Sequence, residues 1–193
     1  SGTTSCVLGT SSGIHAWHND FYIRRIRVGK NEAIYNYLAI NHPELVEDDF
    51  FKADTQAIIS IPQRAPENGI LRHETSIELL SRVKDIYQRW IAPGHTSGSN
   101  THNVSCTVSV KEEEWDEVGK WMWENREFYN GLSVLPYYGG THKQMPFEDT
   151  DEQTFNELFN NLREVDLSGV VEVIDNTNLT GELACAGGSC EVT

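Results

Sequence analysis

"FYIRRIRVGKNEAIYNYLAIN", residues 21–41, sets a β-branched and aromatic run directly against a helical one. Residues 21–28 read as a strand. In residues 31–41 the spacing of Ile34, Tyr37, Leu38 and Asn41 is helical, and Pro43 then stops the helix. Working outward, the same alternation continues. "TQAIISIPQ" (55–63) reads as a strand ended by Pro62. Residues 74–91 repeat apolar side chains at Ile77, Leu80, Val83, Tyr87 and Trp90, which predicts a helix. "HNVSCTVSV" (102–110) alternates as a strand, and "EEEWDEVGKWMWENREF" (112–128) follows as an amphipathic helix with an acidic start. "GLSVLPYY" (131–138) reads as a strand. Thr150 and Gln153 make a capping-box pattern before Phe155, Leu158, Phe159 and Leu162, so a last helix is expected over 151–164. "VVEVID" (170–175) is a candidate final strand. Strands alternating with helices predict an α/β fold with a mainly parallel sheet.

Composition narrows the function classes. The 193 residues fit one domain, and 38% apolar content with five Trp predicts a packed core. The chain has no run of 18 apolar residues and no signal-peptide pattern, so it is expected not to span a membrane and to be cytoplasmic. Of the net charge of −14, residues 1–109 carry −1 and residues 110–193 carry −13. That acidic half repels nucleic-acid backbone and anionic lipid, so neither is expected as a partner.

Several short stretches could carry chemistry. "SGTTSCVLGTSSGI" (1–14) packs hydroxyls and glycines together, which suits either a phosphate cradle or an ordinary cap and turn. It is not a P-loop, because no Gly-Lys-Ser/Thr follows. His15 and His18 are close enough on a helix to share a ligand, but no third ligand matches them, and no metal is expected. Arg24, Arg25 and Arg27 are read as partners of local carboxylates ahead of phosphate. Cys6 and Cys106 stand alone, as reduced, buried packing residues do. The closing "GELACAGGSCEVT" (181–193) instead places Cys185 and Cys190 within the last nine residues, around an Ala-Gly-Gly-Ser. Zinc would want a second pair, and a six-residue staple at a terminus closes little entropy. A working dithiol fits that spacing better, since two glycines let the sulfurs meet and a chain end lets other thiols reach them.

Four stretches, residues 1–33, 102–110, 131–149 ("GLSVLPYYGGTHKQMPFED") and 181–192, together resemble the C-terminal part of the adenosylcobalamin-dependent (class II) ribonucleotide reductases, most closely the triphosphate-reducing kind. The resemblance implies the last strands and helices of a ten-stranded α/β barrel over residues 1–167, with a flexible redox tail over 168–193. It implies that Ser1, Gly2, Thr3, Thr4 and Ser5 form a loop holding the substrate's phosphates. It also implies that Cys185 and Cys190 re-reduce the active-site disulfide after each turnover. Such a pair has to travel; a free chain of residues 168–184 would give it a reach of roughly 20–25 Å. The implied cofactor is adenosylcobalamin. The implied partners are a ribonucleotide, a thioredoxin-like reductant and the missing N-terminal part of the reductase. The family's radical cysteine and its partner cysteine lie upstream of the phosphate loop, so the chain by itself is expected to be inactive. Tyr138 stands where the family's pattern has an acidic residue. Because Ser1 starts inside a motif, a truncated, split or spliced product is expected. The competing reading is a non-catalytic α/β binding or thiol-redox module that needs a partner chain.

Overall fold

A computed structural model describes residues 2–137 and 143–172; the side chains of Gly2, Thr3 and Cys6 are not described. In chain order the elements are α1 (Gly2–Leu8), β1 (Phe21–Gly29), α2 (Ala33–Asn41), β2 (Val46–Asp48), β3 (Gln56–Arg64) and α3 (Ser76–Ile86). They continue with α4 (Ala92–Gly94), β4 (Thr107–Val110), α5 (Trp115–Glu124), β5 (Ser133–Pro136), β6 (Phe147–Asp149) and α6 (Glu152–Asn161). A π-helical turn, Tyr87–Ile91, joins α3 to α4. No described helix is long and apolar enough to cross a membrane. The chain divides into two compact units, Ser1–Trp17 with Gly69–Gly139, and His18–Asn68 with Gly140–Thr193.

The first unit is a β-α-β arrangement with a helix on its core. β4 and β5 pair in parallel, from Thr107 opposite Ser133 to Val110 opposite Pro136, and α5 lies in the connection that parallel pairing requires. Leu79, Leu80 and Val83 of α3, Val118 of α5, and Val104, Cys106, Val108 and Val110 make one buried cluster. Thr75 and Glu78 form a reciprocal capping box that starts α3. Just inside it, the buried Ser76 hydroxyl donates to the Ser109 carbonyl and to Glu114, tying α3 to β4 and to the turn before α5.

The second unit is built on a four-stranded sheet in the order β2-β3-β1-β6. Every pairing in it is antiparallel, with β1 and β3 matched over nine residues from Phe21 opposite Arg64 to Gly29 opposite Gln56. Val28, Leu38, Leu45, Ala57 and Ile59 form its core, against which Ile34, Leu162 and Val165 pack.

The structure is α/β, but the expected mainly parallel sheet is corrected: among the described strands only β4 and β5 pair in parallel, beside an isolated parallel bridge between Trp17 and Leu71, and no described sheet closes into a barrel. The reason lies in β2. Its three residues carry no readable pattern, yet β2 runs parallel to β1 while β3 turns back between them. Pro62 does not end its strand either; it pairs with Ile23 inside β3. β2 reaches only to Ile59, so the proline's missing N–H costs no ladder bond on that side. The strand expected over 102–110 holds only from Thr107. Before it, the Thr101 and His102 carbonyls accept from Asn130, and Asn103 bonds both backbone groups of Gly131. Helix α6 is capped by Asp151, which accepts from the Thr154 N–H at 2.8 Å, one residue later than the expected Thr150. It ends at Asn161 rather than 164, because Leu162 and Val165 turn into the core. Residues 170–172 are not a strand, and the rest of the candidate final strand lies outside the described residues.

Candidate functional site

The N-terminal hydroxyl-rich stretch is helical where a loop was expected. Gly2, Thr3, Thr4 and Ser5 are the first four residues of α1, while Ser1 lies outside the described residues. The helix stops because Gly9 takes a left-handed conformation at φ +62°, and the Thr10 N–H bonds back to the Ser5 carbonyl at 3.0 Å. The chain then folds back over the helix. Thr4, Ser5, Leu8, Thr10, Ser11 and Gly13 line a cavity of about 520 Å³. Four of those six residues carry hydroxyls and none is charged, so the cavity offers many donors and acceptors and little charge of its own.

The floor of this cavity is fastened to the first unit's core. The Ser11 hydroxyl donates to the Gly13 carbonyl at 3.1 Å. The Thr107 N–H donates to His15 Nε2 at 3.1 Å, which makes that nitrogen the acceptor and leaves Nδ1–H to donate to the Ser12 carbonyl at 2.7 Å. The Arg82 guanidinium donates to the Ile14 carbonyl at 3.0 Å while paired with Glu74. Trp17 continues the attachment through backbone bonds to Ile70 and Arg72. His15 is thus a splint between the segment after α1 and the start of β4. The sequence reading missed this, because the partners lie 92 residues apart.

Of the other readings, His18 sits 3.1 Å from an Asp149 carboxylate oxygen and stacks on Phe147. Among the described residues no group of three or more His, Cys, Asp or Glu is placed to hold a metal. The strand arginines do meet carboxylates. Arg25 pairs with Glu47 and Glu148, and Arg27 pairs with the buried Asp49, while Arg24 lies over the Phe147 ring. Asp49 also accepts from the N–H groups of Phe51 and Lys52. Beside this cluster Gln144, at φ +55°, donates to the Asp48 carbonyl and accepts from the Phe50 N–H, and its carbonyl accepts from Arg27. Nothing local in the sequence signals that lock.

Cys106 is buried as expected, and burial first, then the nearby Glu74 carboxylate, pushes its thiol up to about 11 against the opposing pull of Arg82. Such a thiol is not a nucleophile at neutral pH. Cys185 and Cys190 lie outside the described residues, as does Tyr138. Residues 168–172, the expected start of the tail, are described and include part of a 3₁₀ turn, Leu167–Gly169.

No family model matches the chain. Similar sequences include a probable adenosylcobalamin-dependent ribonucleoside-triphosphate reductase of Dictyostelium discoideum, 29% identical over the whole chain and 24% of that protein. The adenosylcobalamin-dependent ribonucleoside-triphosphate reductases of Lactobacillus acidophilus and Lactobacillus leichmannii are 27% and 24% identical, again over the whole chain and 25% and 26% of the relatives. The chain therefore spans about a quarter of the length of the curated relatives it matches. In fold it is similar to a crystal structure of a B12-dependent (class II) ribonucleotide reductase, with a TM-score of 0.66 at 22% identity over 82% of this chain and 21% of that one. The resemblance carried by the four sequence stretches thus extends to every residue: the chain is similar throughout to the C-terminal portion of the adenosylcobalamin-dependent ribonucleoside-triphosphate reductases.

Proposed function

We propose that this chain is the C-terminal portion of a ribonucleoside-triphosphate reductase, an oxidoreductase that makes deoxyribonucleotides by radical chemistry. The observation that carries the reading is the end-to-end similarity to reductases of that name. In it, the strands of both units belong to a ten-stranded α/β barrel completed by the upstream portion. The parallel sheet of only two strands, packed against α3 and α5, supports this, since parallel sheets occur with more strands and with helices on both faces.

Ser1, Gly2, Thr3, Thr4 and Ser5 bind the substrate's phosphates in this reading. What supports it is the hydroxyl-lined cavity that Thr4, Ser5, Thr10 and Ser11 form along α1. His15 and Arg82 hold the wall of that cavity in place. Adenosylcobalamin supplies the radical when bound to the complete enzyme. The described residues do not fit it: cavities of about 500 and 520 Å³ suit drug-sized ligands, and a corrin with its arms is larger.

Replacing the substrate's 2′-hydroxyl by hydrogen releases water and takes two electrons from a dithiol upstream, leaving a disulfide there. A thiolate of the Cys185–Cys190 pair attacks that disulfide, and the second cysteine then displaces the mixed disulfide. The upstream dithiol is restored, the tail carries the disulfide, and an external thioredoxin-like dithiol reduces it. Cys185→Ser or Cys190→Ser in the complete enzyme should stop thioredoxin-driven turnover and spare turnover driven by dithiothreitol. Survival of thioredoxin-driven turnover in both variants refutes the shuttle. The chain alone, given adenosylcobalamin and dithiothreitol, should form no deoxynucleotide, and any product refutes the fragment reading. Inorganic triphosphate should shift the amides of Gly2 to Ser5; shifts confined to other residues refute the phosphate assignment.

A further inference from the structure

After α6 the chain does not leave the second unit at once. Leu162 turns extended and packs, with Val165, on the core formed by Val28, Leu38, Leu45, Ala57 and Ile59. Between them Arg163 takes hold of a different site. Its Nε and Nη2 donate to the two oxygens of Glu44 at 3.2 and 2.8 Å, and Nη2 also donates to the Asn41 carbonyl at the end of α2. This is a forked, two-bond pair, the geometry in which a surface ion pair does hold position. Further on, Asp166 accepts from the Ser168 N–H at 3.0 Å and fixes the turn Leu167–Gly169. Gly169 then lies so close to the Tyr37 ring of α2 that an added Cβ would stand 2.8 Å from it. Three of these features therefore bind the eleven-residue segment to the second unit, at its core and along α2 and the turn after it, and the fourth fixes the segment's own turn.

We propose that residues 162–172 form a strap that fixes the base of the Cys185–Cys190 tail on α2, with Arg163 as its clasp. This rests on the shuttle reading above and adds where the shuttle pivots. Twelve residues, 173–184, separate Glu172 from Cys185. A free chain of that length reaches roughly 17–21 Å, against roughly 24–29 Å for one that starts at the end of α6. Beyond the span it must cover, effective concentration falls as about the −3/2 power of tether length, so for a target within reach of both tethers the strap concentrates the dithiol roughly 2–3-fold. Arg163 is a positioning residue, because it acts only through the tail that it anchors.

The test places nitroxide labels at Cys185 and at Ala53→Cys, an exposed site of the same unit, in the 193-residue chain. Cys6→Ser and Cys190→Ser remove two further thiols from competition for label, and the buried Cys106 stays unlabelled. Arg163→Ala and, separately, Glu44→Gln should widen the distance distribution toward a limit of about 1.4-fold on full release, the square-root ratio of the two tether lengths. The amides of 162–172 should lose exchange protection while Ile58 in β3 keeps it, which separates release from unfolding. An unchanged width in both variants overturns the strap. In the complete enzyme Arg163→Ala should lower thioredoxin-driven turnover roughly 2–3-fold and leave dithiothreitol-driven turnover unchanged; equal losses in the two assays overturn the positioning role. Reduction of the wild-type tail disulfide by thioredoxin is measured alongside. If it fails while the widths respond, the shuttle falls and the anchor stands.

Discussion

Replacing Asp49 with Asn keeps the side chain's shape while removing its charge and one of its two acceptor oxygens. Asp49 is 2% exposed and holds three donors: the N–H groups of Phe51 and Lys52 on one oxygen at 2.8 and 2.9 Å, and Arg27 Nε on the other at 3.0 Å. Asn keeps the first oxygen and turns an NH₂ toward the guanidinium. The lost charge-assisted bond is worth about 1.5–3 kcal/mol where both partners are buried. Arg27 is one-third exposed, so solvent screening reduces the expected loss to about 1–2 kcal/mol. Burial by itself would raise the Asp49 pKa, but the two backbone N–H groups and Arg27 together outweigh it and hold the carboxyl below its ordinary value. A carboxylate depressed in the folded state stabilises fully above its unfolded pKa of about 3.9, and that contribution is lost as pH falls through the folded value. The deficit of Asp49→Asn should therefore be complete at pH 6 and shrink on acidification below about pH 4. All five tryptophans lie in the first unit, so the assay is hydrogen exchange at Ala57 and Ile58 of β3. Unchanged protection at pH 6, or a deficit that persists undiminished at the acid end, refutes the argument.

Cys106 should alkylate about two orders of magnitude more slowly than an ordinary thiol at pH 7.5, since a thiol held near 11 carries almost no thiolate there. Mass-spectrometric labelling against the tail cysteines measures this, and comparable rates would mean that the strand segment opens readily. Thr75→Ala removes the side-chain half of the α3 capping box, in which Thr75 accepts from the Glu78 N–H at 3.2 Å. The expected cost is about 0.5–2 kcal/mol, read from tryptophan fluorescence in urea; no change would mean that Glu78 alone caps the helix.

Local pattern determined much of this protein. The strand at 21–28, the helix after it, the helix within 74–91 and the acidic-started α5 are all legible because each follows from neighbours within four residues; the Thr75 cap and the π-helical turn from Tyr87 were not read. The family resemblance was equally legible, since it rests on contiguous motifs. Tertiary structure decided what distance along the chain conceals. β2 is three residues long, so its insertion beside β3, and with it the antiparallel sheet, left no periodic trace. Helix α6 stops where Leu162 and Val165 find the core, although the helical spacing runs on. His15 meets Thr107 across 92 residues, Gln144 meets Phe50 across 94, and Arg163 meets Glu44 across 119. Each is a polar side chain whose partner is chosen by the packed sheet and helices around it. Only folding brings those donors and acceptors within 3 Å or so, the range over which hydrogen bonds act.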